Sequence, residues 1–311
     1  MTIWQYVSLT VRWNYSSIPR MRKVIFGIML ALVCTMGTQG AMRVASLHPL
    51  LSDMARQVGG DAVEVIDLFP PNSDLHSFEP TTADIAAATG AKLLLACGKG
   101  VEPYLDDLED SLPDYTRIVE LGSAVPDAYL PGSTIADPHW WNSPAAMKRA
   151  SRTLRAALEA ALPGKKSTFT KGQRSYSAQM DQLSREAKLA FAAIPQHRRV
   201  LVSSHAAMSH FCKEFGFKAI AIHGIAKESE GDTASLAHIL SQLRENAVPC
   251  LFHGANEPPK VLQTIAKQVG ATTRPLAMDG ILSETPSYAE LFRFNIKNIT
   301  GGLLMQSGNA K

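Results

Sequence analysis

The sequence lacks the charge patterns that mark nucleic-acid binding. It has no block of like charge and no low-complexity tract, and its 46% hydrophobic and 19% charged residues are typical of a folded protein. The formal net charge of +3 comes from the first 40 residues, which contain Arg12, Arg20, Arg22 and Lys23 but no acidic residue. Since the rest of the chain is nearly neutral, we expect no nucleic-acid partner.

Cysteine is scarce, and none of the four cysteines has CxxC spacing. Cys34 lies in the N-terminal segment, and Cys97, Cys212 and Cys250 lie in the body of the chain. One disulfide among these three cysteines would leave the third as a free thiol, and the sequence does not show which two would pair. Because Cys97 and Cys250 lie at the edges of apolar runs, we favour small buried hydrophobic side chains over a disulfide.

The apolar run near the N terminus, Val24–Val33, is too short for a membrane-spanning helix, which needs about 20 residues. Basic residues precede it and small residues follow it as far as Ala41, a pattern that predicts a signal peptide over residues 1–41. Met21 would be a conventional start, so residues 1–20 are interpreted as an upstream extension. A lipid anchor on Cys34 is less favoured, because the branched Val33 precedes it.

Short β-branched runs alternate with helical stretches in two series, one from Arg43 and one from Val200. This rhythm predicts an α/β fold with two halves. Between them, Pro144–Leu162 and Ser167–Ala193 are helical stretches broken at Pro163 and Gly164. A helix of about 27 residues spans about 40 Å and would connect the halves rigidly. The predicted strands are Val44–Ser46, Val63–Leu68, Leu93–Cys97, Val200–Ser203, Lys218–Ile222, Cys250–His253 and Thr273–Leu276.

Four candidate metal ligands come after predicted strands or in stiffened loops, where ligands of open α/β sheets bind. His76 lies in a proline-rich loop and His139 lies between Pro138 and two tryptophans, whereas His205 and Asp279 follow strands of the second half. Taken singly, each histidine is more often a surface or hydrogen-bonded residue. Four such donors in one cleft would nevertheless suit zinc, with affinity falling as the pH drops through about 6.5.

Four motifs in order then match a known family. They are Pro70-Pro71 with His76-Ser77 and Glu79-Pro80-Thr81, then Asp137-Pro138-His139-Trp140, then Ser204-His205 ahead of Phe211 and Gly216, and finally Pro259-Lys260-Val261 ahead of Asp279. Over residues 43–304 the chain resembles the zinc and manganese receptors of cluster A-I ABC importers, the ZnuA/TroA type.

The resemblance implies two lobes, each a four-stranded parallel sheet wrapped by helices, joined by one long rigid helix. We expect an N-terminal metal-binding lobe at 42–165, a linker helix at 166–194 and a C-terminal metal-binding lobe at 195–311. The family's metal ligands correspond to His76, His139, His205 and Asp279. The resemblance further implies a periplasmic monomer that delivers Zn²⁺ to an ABC permease and its ATPase. Histidine at position 205 favours Zn²⁺, with Mn²⁺ or Fe²⁺ as the alternative.

The chain departs from the family at three places. It has no long histidine-rich loop ahead of Asp137, the acidic loop before Ala234 is altered, and Gly254 stands where glutamate is frequent. His223 is the best candidate for an accessory ligand, and we interpret His253 as a strand-end residue. We expect structural roles for His48 and His210 and surface positions for His197 and His238.

Two functions of other classes stay as alternatives, a zinc hydrolase and a surface adhesin. A catalytic zinc ion usually keeps one position open for water, whereas three histidines and Asp279 would fill the tetrahedron. The motifs HExxH, GxSxG and GxxxxGK[ST] are missing, and there is no separate adhesion module. We therefore expect no enzyme activity and no catalytic cofactor.

Overall fold

A computed structural model describes residues 40–70, 75–223 and 233–305, without the side chains of residues 223 and 233–236. The predicted signal peptide up to residue 39, Cys34, the acidic loop at 224–232 and the side chain of His223 lie outside this part. Within the described residues, no helix is both long enough and apolar enough to cross a membrane.

The first half is a parallel sheet with the strand order β2-β1-β3-β4. Its strands are β1 (Met42–Ser46), β2 (Val63–Asp67), β3 (Leu93–Ala96) and β4 (Arg117–Glu120). The helices are α1 (Pro49–Gly59), α2 (Thr82–Ala87) and α3 (Leu105–Ser111). The sequence patterns did not predict β4 or α3.

The second half repeats this arrangement, with the strand order β6-β5-β7-β8 and parallel pairing throughout. Its strands are β5 (Val200–His205), β6 (Lys218–His223), β7 (Cys250–Gly254) and β8 (Thr272–Leu276). Its helices are α6 (Ser209–Phe215), α7 (Thr233–Glu245), α8 (Lys260–Val269) and α9 (Tyr288–Leu303). Helix α9 was not predicted. In each sheet the first two strands run outward to one edge, and the chain then crosses to the other side of the first strand and builds outward to the opposite edge. Folds of this kind bind ligands at this switch point, which lies between β1 and β3 in the first sheet and between β5 and β7 in the second.

Two long helices connect the halves. Helix α4 (Pro144–Ala161) begins with proline, and the Ser143 side chain accepts a hydrogen bond from the Ala146 N–H. Helix α5 (Lys166–Ala192) has 27 residues and packs against α4, α1 of the first half and α9 of the second. At 1.5 Å per residue it spans about 40 Å, as the sequence predicted.

Gly172 lets α1 approach α5 closely. A Cβ atom on this residue would lie 2.2 Å from the carbonyl oxygen of Val58 in α1. One continuous core of buried apolar side chains extends along these helices from the first sheet to the second. Cys97, Cys212 and Cys250 are buried free thiols, so the structure contains no disulfide among these three.

Candidate metal centre

The four predicted ligands converge between the two sheets. One potential ligand atom from each of His76, His139, His205 and Asp279 lies within 4.8 Å of the others. Nε2 of His139 is 3.1 Å from Nε2 of His76, and Nε2 of His205 is 3.1 Å from Oδ1 of Asp279. His139 and His205 are fully buried, whereas the Asp279 side chain keeps 23% of its surface exposed.

Two of these residues lie in loops of the first half, and the other two end or closely follow strands of the second half. His76 is in the turn before α2, His139 directly precedes the 3-10 turn Trp140–Asn142, and His205 ends β5. Asp279 follows β8. Because the strands of each sheet are parallel, their carboxyl ends meet at one edge, and the two edges face the same cleft.

Asp137 orients His139. Its Oδ1 accepts hydrogen bonds from the backbone N–H and Nδ1 of His139, at 2.9 and 2.8 Å. Its Oδ2 accepts a hydrogen bond from the backbone N–H of Ser209, the first residue of α6. Burial raises the pKa of Asp137, but the hydrogen bonds and charge of His139, together with the hydrogen bond from Ser209, hold that pKa below its ordinary value. With its proton on Nδ1, His139 presents the Nε2 lone pair to the cluster.

His205 faces a carboxylate at each ring nitrogen. Asp279 lies at Nε2, and Oε1 of Glu257 lies 3.3 Å from Nδ1. Burial lowers the pKa of His205, but Asp279 and then Glu257 raise it to about 10. Burial likewise raises the pKa of Asp279, yet His205, His139 and His76 bring it far below the ordinary value. The two carboxylates therefore favour the protonated form of His205.

Glu257 was not among the predicted site residues. The sequence signal was Gly254, at a position where the resemblance to zinc and manganese receptors leads one to expect glutamate. The carboxylate three residues later lies in the region that a side chain at position 254 would enter.

The turn after His139 holds the second half by buried hydrogen bonds, and we call this contact the interlobe clasp. The Trp141 indole N–H donates to the carbonyl oxygen of Met278 at 2.7 Å. The Asn142 amide donates to the same oxygen at 3.1 Å and to the carbonyl oxygen of Ala207 at 2.9 Å. The clasp thus holds the backbone next to Asp279 and close to His205.

The other histidines have structural or peripheral positions. His48 caps α1 by accepting a hydrogen bond from the Leu50 N–H, and burial lowers its pKa to about 3. Nε2 of His210 lies 3.0 Å from the Asp137 carbonyl oxygen, and Nδ1 of His253 lies 2.9 Å from that of Gly254 near the end of β7. His197 and His238 are exposed, as the sequence predicted.

A cavity of about 310 Å³ adjoins the candidate site. Asp279, Glu257, Pro49 and Phe69 are among the residues that line it. It therefore gives solvent a route to the two acidic side chains of the centre.

Among proteins of known sequence, the chain is similar to metal-binding proteins of several bacteria. The iron-binding protein YfeA of Yersinia pestis is 26% identical over 271 residues, which cover 85% of this chain and 87% of that protein. The manganese ABC transporter substrate-binding lipoprotein PsaA of Streptococcus pneumoniae is 26% identical over 300 residues, covering 90% and 95%.

Solved structures show the same fold. The periplasmic zinc binding protein TroA of Treponema pallidum superposes with a TM-score of 0.78 at 21% identity, covering 86% of this chain and all of that one. A zinc-bound deletion mutant of ZnuA gives a TM-score of 0.77 at 23% identity, covering 86% and 99%. Both confirm two four-stranded parallel sheets.

The family model described as zinc-uptake complex component A, periplasmic, matches residues 44–302. Nearly all of the described fold lies in that range, including the cluster of His76, His139, His205 and Asp279. The chain therefore belongs to this family of periplasmic metal-binding transport proteins and is a metal-binding substrate-binding protein of an ABC importer.

Proposed function

We propose that this protein captures Zn²⁺ in the cleft between its lobes and delivers it to a membrane permease and its ATPase. The ligands are Nε2 of His139, Nε2 of His205, one imidazole nitrogen of His76 and one carboxylate oxygen of Asp279. The observation that carries the proposal is the convergence of these four donors within 4.8 Å of one another.

The composition of the ligand set supports zinc. Zinc prefers four ligands in a tetrahedron and binds imidazole nitrogen well, whereas Mn²⁺ favours oxygen ligands. Three imidazoles and one carboxylate would fill such a tetrahedron and leave no position for an activated water molecule. This argues for transport and against a zinc hydrolase.

Mn²⁺ or Fe²⁺ is the second candidate, because the two relatives described above are named for manganese and iron. The lobes are proposed to be residues 42–165 and 195–311, joined by the linker at 166–194. The protein is proposed to act in the periplasm as a monomer after removal of residues 1–41. Lipid labelling of Cys34 tests for the anchored form, which the names of the streptococcal relatives suggest.

The experiment is metal analysis and calorimetry on the chain from residue 42. The wild type should bind one zinc ion, and replacing both His76 and His139 by alanine should abolish tight binding. A His238→Ala variant is the matched control, because this histidine is exposed on α7. Tight zinc binding that persists in the double variant would refute the ligand assignment.

Metal selectivity is tested separately with His205→Glu. Exchanging an imidazole for a carboxylate should shift the preference toward Mn²⁺, since oxygen ligands suit that ion. If the wild type already binds Mn²⁺ more tightly than Zn²⁺ in competition, zinc is the wrong cargo although the receptor function stands.

A further inference from the structure

Glu257 lies directly behind one of the proposed zinc ligands. Its Oε1 is 3.3 Å from Nδ1 of His205, while Nε2 of the same ring faces Asp279. The Glu257 side chain is only 13% exposed, and the His205 side chain is fully buried. The carboxylate therefore contacts the imidazole on the side that points away from the cluster.

A tight turn after β7 places this carboxylate. The Glu257 backbone N–H donates to the carbonyl oxygen of Gly254 at 2.9 Å, which closes a four-residue turn. The Ala255 N–H donates to the carbonyl oxygen of Leu276 at 2.8 Å and ties the turn to β8. Since β7 is the neighbour of β5, the turn brings Glu257 to His205 at the end of β5.

Gly254 leaves the room that the Glu257 side chain uses. A Cβ atom at position 254 would lie 2.5 Å from Oε1 of Glu257 and 2.6 Å from its carboxyl carbon. Contacts this short require one of the two groups to move. The glycine and the glutamate therefore form a matched pair, in which the side chain at 257 enters the place that a longer side chain at 254 would take.

We infer that Glu257 is a positioning residue that holds His205 with its proton on Nδ1 and its Nε2 lone pair toward the metal ion. This inference rests on the proposed function, because it treats His205 as a ligand. A carboxylate that accepts the second N–H of a metal-bound imidazole fixes the tautomer and the ring orientation and makes the ring a stronger donor. Asp137 already makes this hydrogen bond to Nδ1 of His139, at 2.8 Å. Glu257 and Nδ1 of His205 are in ion-pair contact at 3.3 Å without a hydrogen bond, so the inference includes a small approach of the two groups when the ion binds.

The stronger donor also bears on selectivity. Zn²⁺ gains more from a basic nitrogen ligand than Mn²⁺ does, since manganese sites rely on oxygen donors. Glu257 should thus increase the preference of the site for zinc over manganese without contacting the ion.

The test compares wild type with Glu257→Gln, Glu257→Ala and the exchange variant Gly254→Glu/Glu257→Ala, using Glu64→Gln as an exposed control. Zinc affinity is measured by chelator competition. The tautomer of His205 is read from ¹⁵N-resolved NMR spectra of the zinc-loaded protein. The geometry of the site is read from the visible absorption of the Co²⁺-loaded protein.

Glu257→Ala should lower zinc affinity by about 10- to 100-fold and reduce the ratio of zinc to manganese affinity. In this variant the Nδ1–H signal of His205 should shift, while the absorption of the Co²⁺-loaded protein keeps the intensity of a four-coordinate site. The isosteric Glu257→Gln should lie between Glu257→Ala and wild type. The exchange variant should recover most of the affinity, because its carboxylate enters the same space from position 254.

Equal zinc affinity and an unchanged His205 signal in Glu257→Ala would overturn the inference. A Co²⁺ spectrum that changes coordination number in this variant would also overturn it, because Glu257 would then be a ligand itself. If wild type binds neither Zn²⁺ nor Co²⁺, the proposed function fails instead, so the two failures are distinguishable.

Discussion

Zinc binding at pH 8 should release about one proton from His205. Asp279 and Glu257 lie 3.1 and 3.3 Å from its two ring nitrogens and raise its pKa to about 10 in the protein without metal. At pH 8 about 99% of His205 is then protonated, whereas an imidazole with an ordinary pKa of 6.5 would be about 3% protonated. The ion needs the Nε2 lone pair, so it must displace this proton.

The displaced proton sets the slope of affinity against pH. Below the pKa of His205, the logarithm of the apparent zinc affinity should rise by about one for each pH unit. The sequence alone predicted loss of affinity below about pH 6.5, and the two carboxylates extend this loss to the alkaline side. Between pH 7 and 9 affinity should therefore still increase by about 100-fold.

Calorimetry in two buffers of different ionisation enthalpy measures the released protons directly. We expect about one proton per zinc ion at pH 8 for wild type and for the exposed control His238→Asn. A release near zero at pH 8, together with an affinity that stays flat between pH 7 and 9, would refute the electrostatic reasoning.

Three further predictions follow from buried contacts. Asp137→Asn should lower zinc affinity about 10- to 100-fold in chelator competition, and unchanged affinity would contradict its role in orienting its histidine. Gly172→Ala should lower the free energy of unfolding by about 1–2 kcal/mol, because a Cβ 2.2 Å from the Val58 carbonyl outweighs the gain in helix propensity. Urea unfolding measures the effect, with Gly164→Ala as the control, because a Cβ atom at Gly164 meets no other atom within 4 Å. A higher free energy of unfolding for Gly172→Ala than for wild type would contradict the packing argument. Burial lowers the pKa of His48 to about 3, so between pH 6.5 and 3 the unfolded chain binds a proton that the folded chain does not. The contribution of His48 to the free energy of unfolding should therefore fall by up to about 1.4 kcal/mol for each pH unit below 6.5. In His48→Leu, the free energy of unfolding should depend less steeply on pH between 7 and 5 than it does in wild type.

Most of the strands and the linker were predictable from short stretches of sequence. Buried β-branched runs such as Val200–Ser203 predicted strands, and the uninterrupted stretch after Gly164 predicted α5. Strand β4 was missed because its charged ends, Arg117 and Glu120, leave one buried residue, Val119. Helix α9 was missed because Phe294 and Ile296 alternate with polar residues, as in a half-buried strand.

The convergence of His205 and Asp279 was predictable, because residues after parallel strands meet at one edge of a sheet. The addition of His76 and His139 to the same site came from the motifs that the chain shares with metal receptors. The carboxylates that contact the histidine ligands from behind were harder to predict from the sequence. Asp137 is two residues from His139 and could have been inferred from its motif. Glu257 reaches His205 only through the turn at Gly254 and the pairing of β5 with β7, which sequence spacing does not reveal.

The interlobe clasp has a consequence for how cargo leaves. Trp141 and Asn142 hold the carbonyl of Met278 in a buried setting, so the peptide that carries Asp279 cannot swing outward with its own lobe unless those donors let go. A buried donor that loses its acceptor costs about 1–3 kcal/mol. Opening the cleft at this edge therefore requires the hydrogen bonds of the clasp to break, and their cost adds to that of separating the ligands.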